Sequence, residues 1–446
     1  MSMENGGWKI SDFLRNSVGI KIITIALLLG ALMIPMSMVE SLVREREWRR
    51  ASVTSELSEK WGKEQTISGP ILTIPYKKYY NDNTGKSTYS IEYMHFLPKI
   101  LNISGILTPE VRYRSIYEVV LYNSNLKLDG RFEYPRFEEL GVSTENILWS
   151  SAVLVMGISD MRGINDSISI TMNKKSISFQ PGIDSKDIFN SGVSAKVELP
   201  ENREEFTFSL TADINGSQAV NFVPIGETTT VALSSDWSSP SFTGAFLPNE
   251  REISVKGFHA KWKIFHLNRN FPQQWKGSGH CIENSSFGVK LFIAADVYQK
   301  TMRTVKYALM FMVLTFSAFF FSEISDKKRI HPIQYLMVGL AITIFYSMLI
   351  SISEHITFGI AYLISSIAII LLITGYSNGI FRSKKLTCLI FGILTTLYGY
   401  LYIVLQLEDY ALLIGSIGLF TTLSAVMYFT RKVDWYGLTF EKYDRN

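Results

Sequence analysis

The feature that most constrains this chain is a set of six long runs free of Asp, Glu, Lys, Arg and His, one before and five after a polar middle. They cover residues 22–39, 307–321, 332–353, 356–381, 386–407 and 410–430. An α-helix rises about 1.5 Å per residue and a bilayer's hydrocarbon core is about 30 Å thick, so roughly 20 uncharged residues cross it. The expectation is therefore six transmembrane helices. The basic lead before residue 22 fits a signal peptide, but Pro35 to Glu40 holds no small-x-small cleavage site, so the first run reads as an uncleaved anchor.

The middle, residues 40–303, obeys a different period. Past Arg44 to Arg50, opposite charges at helical spacing predict that the anchor helix continues into water. From Ile71 the pattern alternates. Ile168, Ile170 and Met172 interleave with Ser and Thr, and so do Phe206, Phe208 and Leu210, as in strands with one buried face. Asn215-Gly216 predicts a tight hairpin turn, the stretch from Asn81 to Gly85 separates two earlier strands, and a short helix is expected over Glu138 to Asn146. The fold class is thus an α + β membrane protein. A large antiparallel, sandwich-like β domain is inserted between helix 1 and a five-helix membrane part, residues 304–430, with short tails at 1–21 and 431–446.

Orientation follows from the connectors. Lys327, Lys328 and Arg329 follow the second run, Arg382, Lys384 and Lys385 the fourth, and Arg431 and Lys432 the sixth; the loops after the third and fifth runs carry no Lys or Arg. Basic residues in short loops stay cytoplasmic, which places both termini inside and the β domain outside.

Few classes of chemistry find support. The net charge of +4 is spread without a basic, aromatic-lined groove, so nucleic acid is not an expected partner; membrane lipid is. Two cysteines, Cys281 and Cys388, allow no disulfide within the insert. His259, His266, His280 and Cys281 share one stretch without the spacing of a zinc site, and no metal or cofactor is expected. Ser-x-x-Lys occurs at Ser124 and Ser325 without its companion motifs, and no catalytic residue is assigned. Within the spans, Gly339, Thr343, Ser347 and Ser351 form a small-residue ridge suited to close helix contact. The candidate partner-binding segment is an aromatic, Pro-rich loop with Trp237, Pro240, Phe242, Phe246 and Pro248. Glu354 beside His355 is a candidate proton-responsive pair at the outer edge.

Several short stretches, taken together, resemble the CreD family of bacterial inner membrane proteins. They are Gln65 with Gly69-Pro70, Asp160-x-Arg162-Gly163, Pro240 to Pro248, and Arg251-Glu252; then His331-Pro332-x-Gln334-Tyr335, Glu354-His355 and Asp434-Trp435-Tyr436. The resemblance implies an inner membrane protein with a periplasmic β domain, tied to cell envelope integrity. It also implies association with a two-component regulatory system and altered tolerance to colicins and cell-wall antibiotics. It carries over no catalytic residue. The expected function is therefore a non-enzymatic envelope protein whose β domain binds an envelope component or partner protein. The alternatives are a transporter or lipid-handling protein for a neutral or amphipathic solute, its cavity lined by Ser347, Thr374, Asn378 or Thr395, and an enzyme on glycans. The last needs two carboxylates facing each other across a cleft.

Overall fold

The computed structural model describes residues 18–81, 86–199, 204–291, 297–326, 329–407 and 411–431. Asp82 to Gly85, Lys327, Lys328, Lys432 and the Asp434-Trp435-Tyr436 motif lie outside the described residues. Two compact units result: the chain up to Arg49 together with the part from Ala295 onward, and Arg50–Ala294.

The first unit is helical. Its leading helix, α1 (Val18–Trp61), runs 44 residues and passes from the first unit into the second. The charged part continues the apolar part without a break, as its spacing predicts. Arg44 pairs with Glu40 at 2.6 Å, Arg49 with Glu45 at 2.7 Å and Lys60 with Glu56 at 2.9 Å, each one turn apart. Such exposed pairs contribute only about 0.3–0.5 kcal/mol each. Then come α2 (Val297–Lys306), α3 (Ala308–Asp326), α4 (Pro332–Ser353), α5 (Phe358–Phe381), α6 (Lys384–Gln406) and α7 (Ala411–Thr430).

Among the described residues four helices, α1, α4, α5 and α6, are long and apolar enough to cross a membrane, and α2 with α3 makes a fifth if that pair, bent by 44°, is one span. The expected second span therefore differs from a plain helix over 307–321. It breaks at Tyr307 and runs on to Asp326, so it carries Glu323. In the bundle centre Phe345 of α4 meets Tyr362 of α5 at 5.5 Å and Tyr398 of α6 at 4.8 Å, and Tyr398 meets Phe311 of α3 at 5.5 Å. The small-residue ridge serves close approach at one point: a side chain at Gly339 would strike Leu32 of α1, while Ser351 is exposed.

The second unit is a sandwich of two sheets around one core. One sheet orders its strands Pro240–Gly244, Phe287–Leu291, Ala219–Phe222, Gln65–Asn81, Val153–Ile158, Gly192–Lys196 and Gln180–Pro181, with Ser87–Phe96 and then Gln274–Lys276 branching from Gln65–Asn81. The other runs Glu250–Ser254, Gly257–Phe265, Thr228–Ser235, Ile100–Arg114, Tyr117–Phe132, Phe206–Ser217, Ser169–Met172 and Lys175–Ser178. Trp262 of the second sheet packs on Phe287 of the first at 5.6 Å, and both are fully buried. Burying side chains of that size contributes about 1.5–3 kcal/mol each, which is what holds the layers together.

Three local expectations are corrected. The sheets are mixed, because Gln65–Asn81 pairs in parallel with Ala219–Phe222 and Thr228–Ser235 with Ile100–Arg114. Asn215-Gly216 is not a turn but lies inside a strand, opposite Asn123 and Tyr122. The chain turns instead at Gln218, whose φ is 61°. The helix expected over Glu138 to Asn146 is two 3₁₀ turns, Phe137–Leu140 and Thr144–Asn146, separated by Gly141 in the left-handed region.

Candidate functional site

The residues that carry the family resemblance do not converge on a cleft. Those at Gln65, Asp160 to Gly163, Tyr335 and Glu354 gather at joints that hold α1.

In the sandwich unit the joint is where α1 ends. Gly62 stops the helix at φ 144°, and a Cβ there would lie 2.6 Å from the Asn215 carbonyl oxygen, so only glycine fits. Gln65 is wholly buried, and its amide is saturated. Its Nε2 donates to the carbonyls of Asp160 and Asn215, each at 3.0 Å, and its Oε1 accepts from the Asp160 N–H and the Ser159 hydroxyl, each at 3.3 Å. One side chain thereby ties together three segments far apart in sequence. Asp160 caps the short turn Met161–Gly163 and accepts from the Lys63 N–H at 3.0 Å, while Arg162 spans Asp160 at 3.0 Å and the Glu59 carbonyl of α1 at 2.6 Å. Partial burial pushes the Asp160 carboxyl up, but Arg162 and the two backbone N–H groups outweigh it, leaving the carboxyl below its usual range. A side chain at Gly163 would land on Asn215 Oand Gln65 Nε2. The Gly69-Pro70 bond next along the strand is cis.

In the helical unit two ion pairs hold the same helix. Near one end Lys21 meets Glu323 of α3 at 2.9 Å and donates to the Ile330 carbonyl. Glu323 is fully buried, and it also accepts from the Ile330 N–H at 3.0 Å and the Tyr335 hydroxyl at 2.9 Å. Near the other end Arg46 lies 3.6 Å from Glu354, which accepts from the Tyr298 hydroxyl at 3.4 Å. Twenty-five residues separate Lys21 from Arg46, about 37 Å along a helix, so the pairs bracket a length close to that of a bilayer. His331 caps α4 through Nδ1, Pro332 takes its first turn, and the Gln334 side chain returns to the His331 N–H at 2.9 Å. His355 is exposed, whereas Glu354 is turned to Arg46 and Tyr298.

The Trp237 to Pro248 segment is not a free loop. Pro240–Gly244 is a strand, Phe242 packs edge-on against Trp262 at 5.7 Å, Phe246 against Phe287 at 6.0 Å, and Trp237 rests on the core. Pro240 and Pro248 are half-buried, and the large apolar side chain the segment offers to solvent is Leu247. Arg251 and Glu252 stand exposed on the edge strand Glu250–Ser254.

Two features escaped sequence reasoning. His95 is buried between Thr73 Oγ1 at 3.0 Å and Asp187 at 3.4 Å, against the Trp275 ring. Burial drives its pKa down to about 4 against the opposing pull of Asp187, so it is neutral at pH 7. Thr73 is itself buried, and Asp187 is the partly exposed end of this chain of groups. The second is a polar cavity of about 520 Å³ lined in part by Lys99, Glu133, Arg136, Glu139, Gln273 and Gln274. Two of its carboxylates are already committed, and a third, Glu227, also lines it. Glu133 bonds Lys99, which holds it below the usual range, and Glu139 takes Arg136 at 3.2 Å and Gln274 at 2.7 Å. A glycan-cleaving general acid needs its carboxyl raised, and Glu133 is moved the other way. Behind the cavity, Arg269 is buried with no carboxylate among the described residues. It donates to the carbonyls of Phe271 and Ile225 and to Gln273, and burial lowers its pKa to about 10. Among the described residues no three His, Cys, Asp or Glu side chains gather as metal ligands.

A large groove of about 1010 Å³ runs between α6 and α7, and Ser347, Thr374, Asn378 and Thr395 do not line it.

The chain's pattern of joints extends over nearly its whole length, and so does its similarity to known proteins. A family model described as inner membrane protein CreD matches residues 17–436. The Escherichia coli (strain K12) protein named inner membrane protein CreD is 31% identical over 424 residues, covering 92% of each chain. An apolar helical unit and an end-to-end match of this kind have one reading: the chain is a member of the CreD family of inner membrane proteins.

Proposed function

We propose that this protein is a non-enzymatic component of the inner membrane that contributes to envelope integrity, with six spans, cytoplasmic termini and a periplasmic sandwich that binds an envelope component or partner protein. The observation that supports it best is how its signature residues are used. Gln65, Asp160, Arg162 and Gly163 fasten the end of α1 to the sandwich, and Tyr335 and Glu354 complete the ion pairs that fasten α1 among the other helices. Side chains spent on anchoring one continuous helix in both units suit a protein that passes a mechanical or binding signal along that helix. They do not suit one that holds a substrate. The surface offered to a partner is the exposed Leu247 tip, with the charged rim of the 520 Å³ cavity as a second contact.

The test is photo-crosslinking in living cells from a reactive residue at position 247 or 274, paired with sensitivity to cell-wall antibiotics. A discrete adduct, together with loss of envelope protection in an Arg162→Ala protein that still accumulates in the membrane, is expected. Full protection by that variant and no adduct from either position would sink the reading. The lipid-handling alternative is favoured by one observation, the groove between α6 and α7.

A further inference from the structure

We propose that the groove between α6 and α7 is a binding site for one anionic phospholipid, its acyl chain laid along the helices and its headgroup on the cations at the start of α6. The floor is made for a chain. Leu389, Gly392, Ile393, Leu397, Ile414 and Ile417 line it, and the polar groups among its walls, such as Thr396 and Tyr400, are turned to backbone: Thr396 donates to the Gly392 carbonyl at 2.9 Å and Tyr400 to the Ile414 carbonyl. From Lys385 to Tyr400 the groove follows α6 for 15 residues, about 22 Å, which exceeds one leaflet of a core about 30 Å thick.

The mouth chooses the headgroup. Lys385 lines the groove, and Arg382 and Lys384 flank it; all three are exposed, and none pairs with a carboxylate among the described residues. Elsewhere in this chain exposed cations such as Lys60 and Lys78 hold a carboxylate. A phosphodiester at the end of an apolar slot supplies the missing counter-charge, and basic residues at a membrane surface attract anionic lipid. A neutral lipid would fill the slot and leave the three cations as they are.

The full chain, reconstituted in equal phosphatidylglycerol and phosphatidylcholine and then analysed by native mass spectrometry, provides the test. One retained phosphatidylglycerol per chain is expected, in clear excess over phosphatidylcholine. Lys385→Gln should cut that preference about fivefold, the worth of one basic residue at an anionic surface, and Lys385→Arg should restore it. Gly392→Leu should expel the lipid while leaving the melting temperature unchanged, since a Cβ at that position meets nothing within 4 Å. Equal retention of the two lipids, or a preference that survives both Lys385→Gln and Gly392→Leu, marks ordinary surrounding lipid and overturns the proposal. So does a preference lost in Lys385→Gln but kept in Gly392→Leu, because the chain would then lie outside the groove.

Discussion

Lys21 and Glu323 stand 302 positions apart in sequence and meet at 2.9 Å, with the carboxylate fully enclosed. Ionisable groups this deep in an apolar helical unit are costly and persist only when each is answered by another. Here the answer comes from α1, which makes the pair a tie between the first helix and the α3–α4 hairpin.

Removing one member should therefore hurt more than removing both. Glu323→Ala leaves the Lys21 ammonium without its counter-charge and the Tyr335 hydroxyl and the Ile330 N–H without the carboxylate that accepts from them, a loss on the order of 3–5 kcal/mol. The double variant Lys21→Met with Glu323→Leu should recover the part due to the unpaired ammonium, while the Tyr335 hydroxyl and the Ile330 N–H stay without the carboxylate. Unfolding midpoints in one detergent decide the matter: if the double variant is no better than the single one, the pair is not a coupled tie.

The joint at the end of α1 should be equally intolerant. Gly163→Ala places a methyl group on the Asn215 carbonyl and the Gln65 amide. Gln65→Leu keeps the volume but strips hydrogen bonds from the carbonyls of Asp160 and Asn215 and removes the acceptor of the Asp160 N–H, a buried orphan costing about 1–3 kcal/mol. Both should lower the stability of the sandwich and expose the segment after Trp61 to limited proteolysis. A digestion pattern identical to that of the unaltered chain would contradict this account.

Acid should weaken the sandwich through His95. Its folded pKa, about 4, lies below the ordinary value of 6.5, so the unfolded chain binds the proton more readily than the folded one. The stability contribution is whole above pH 6.5 and is lost as pH falls from 6.5 toward 4, by up to about 3 kcal/mol at 1.36 kcal/mol per unit. Tryptophan-monitored urea unfolding at pH 7.5 and 5.0 should show the drop, and His95→Gln should flatten it. An equally steep pH dependence in that variant would assign the effect elsewhere.

The two natural cysteines report topology without any engineering, since both are free and exposed. A membrane-impermeant maleimide applied to intact spheroplasts should modify Cys281 and spare Cys388, the fifth residue of α6. Modification of a Cys281→Ser protein under those conditions, with none at Cys281 in the parent, would reverse the orientation proposed above.

How much of this was legible beforehand follows from the range of each interaction. Apolar runs, alternating strands and the charge ladder of α1 are set by neighbours within a few residues, and the sequence by itself determined them. Partners distant along the chain were decided only by tertiary structure. The parallel pairing of Gln65–Asn81 with Ala219–Phe222 depends on which strands close across some 150 residues, and no local pattern records it. Trp237, Phe242 and Phe246 read as a docking surface because Pro and Gly surround them, yet Trp262 of the facing sheet and Phe287 of the neighbouring strand cover two of them. Glu323 lies two residues past an uncharged run, and its place within α3, which extends to Asp326, and its partner Lys21 of α1 are set by the fold. A side chain's hydrophobicity is its own, but its burial and its charge partner belong to the fold.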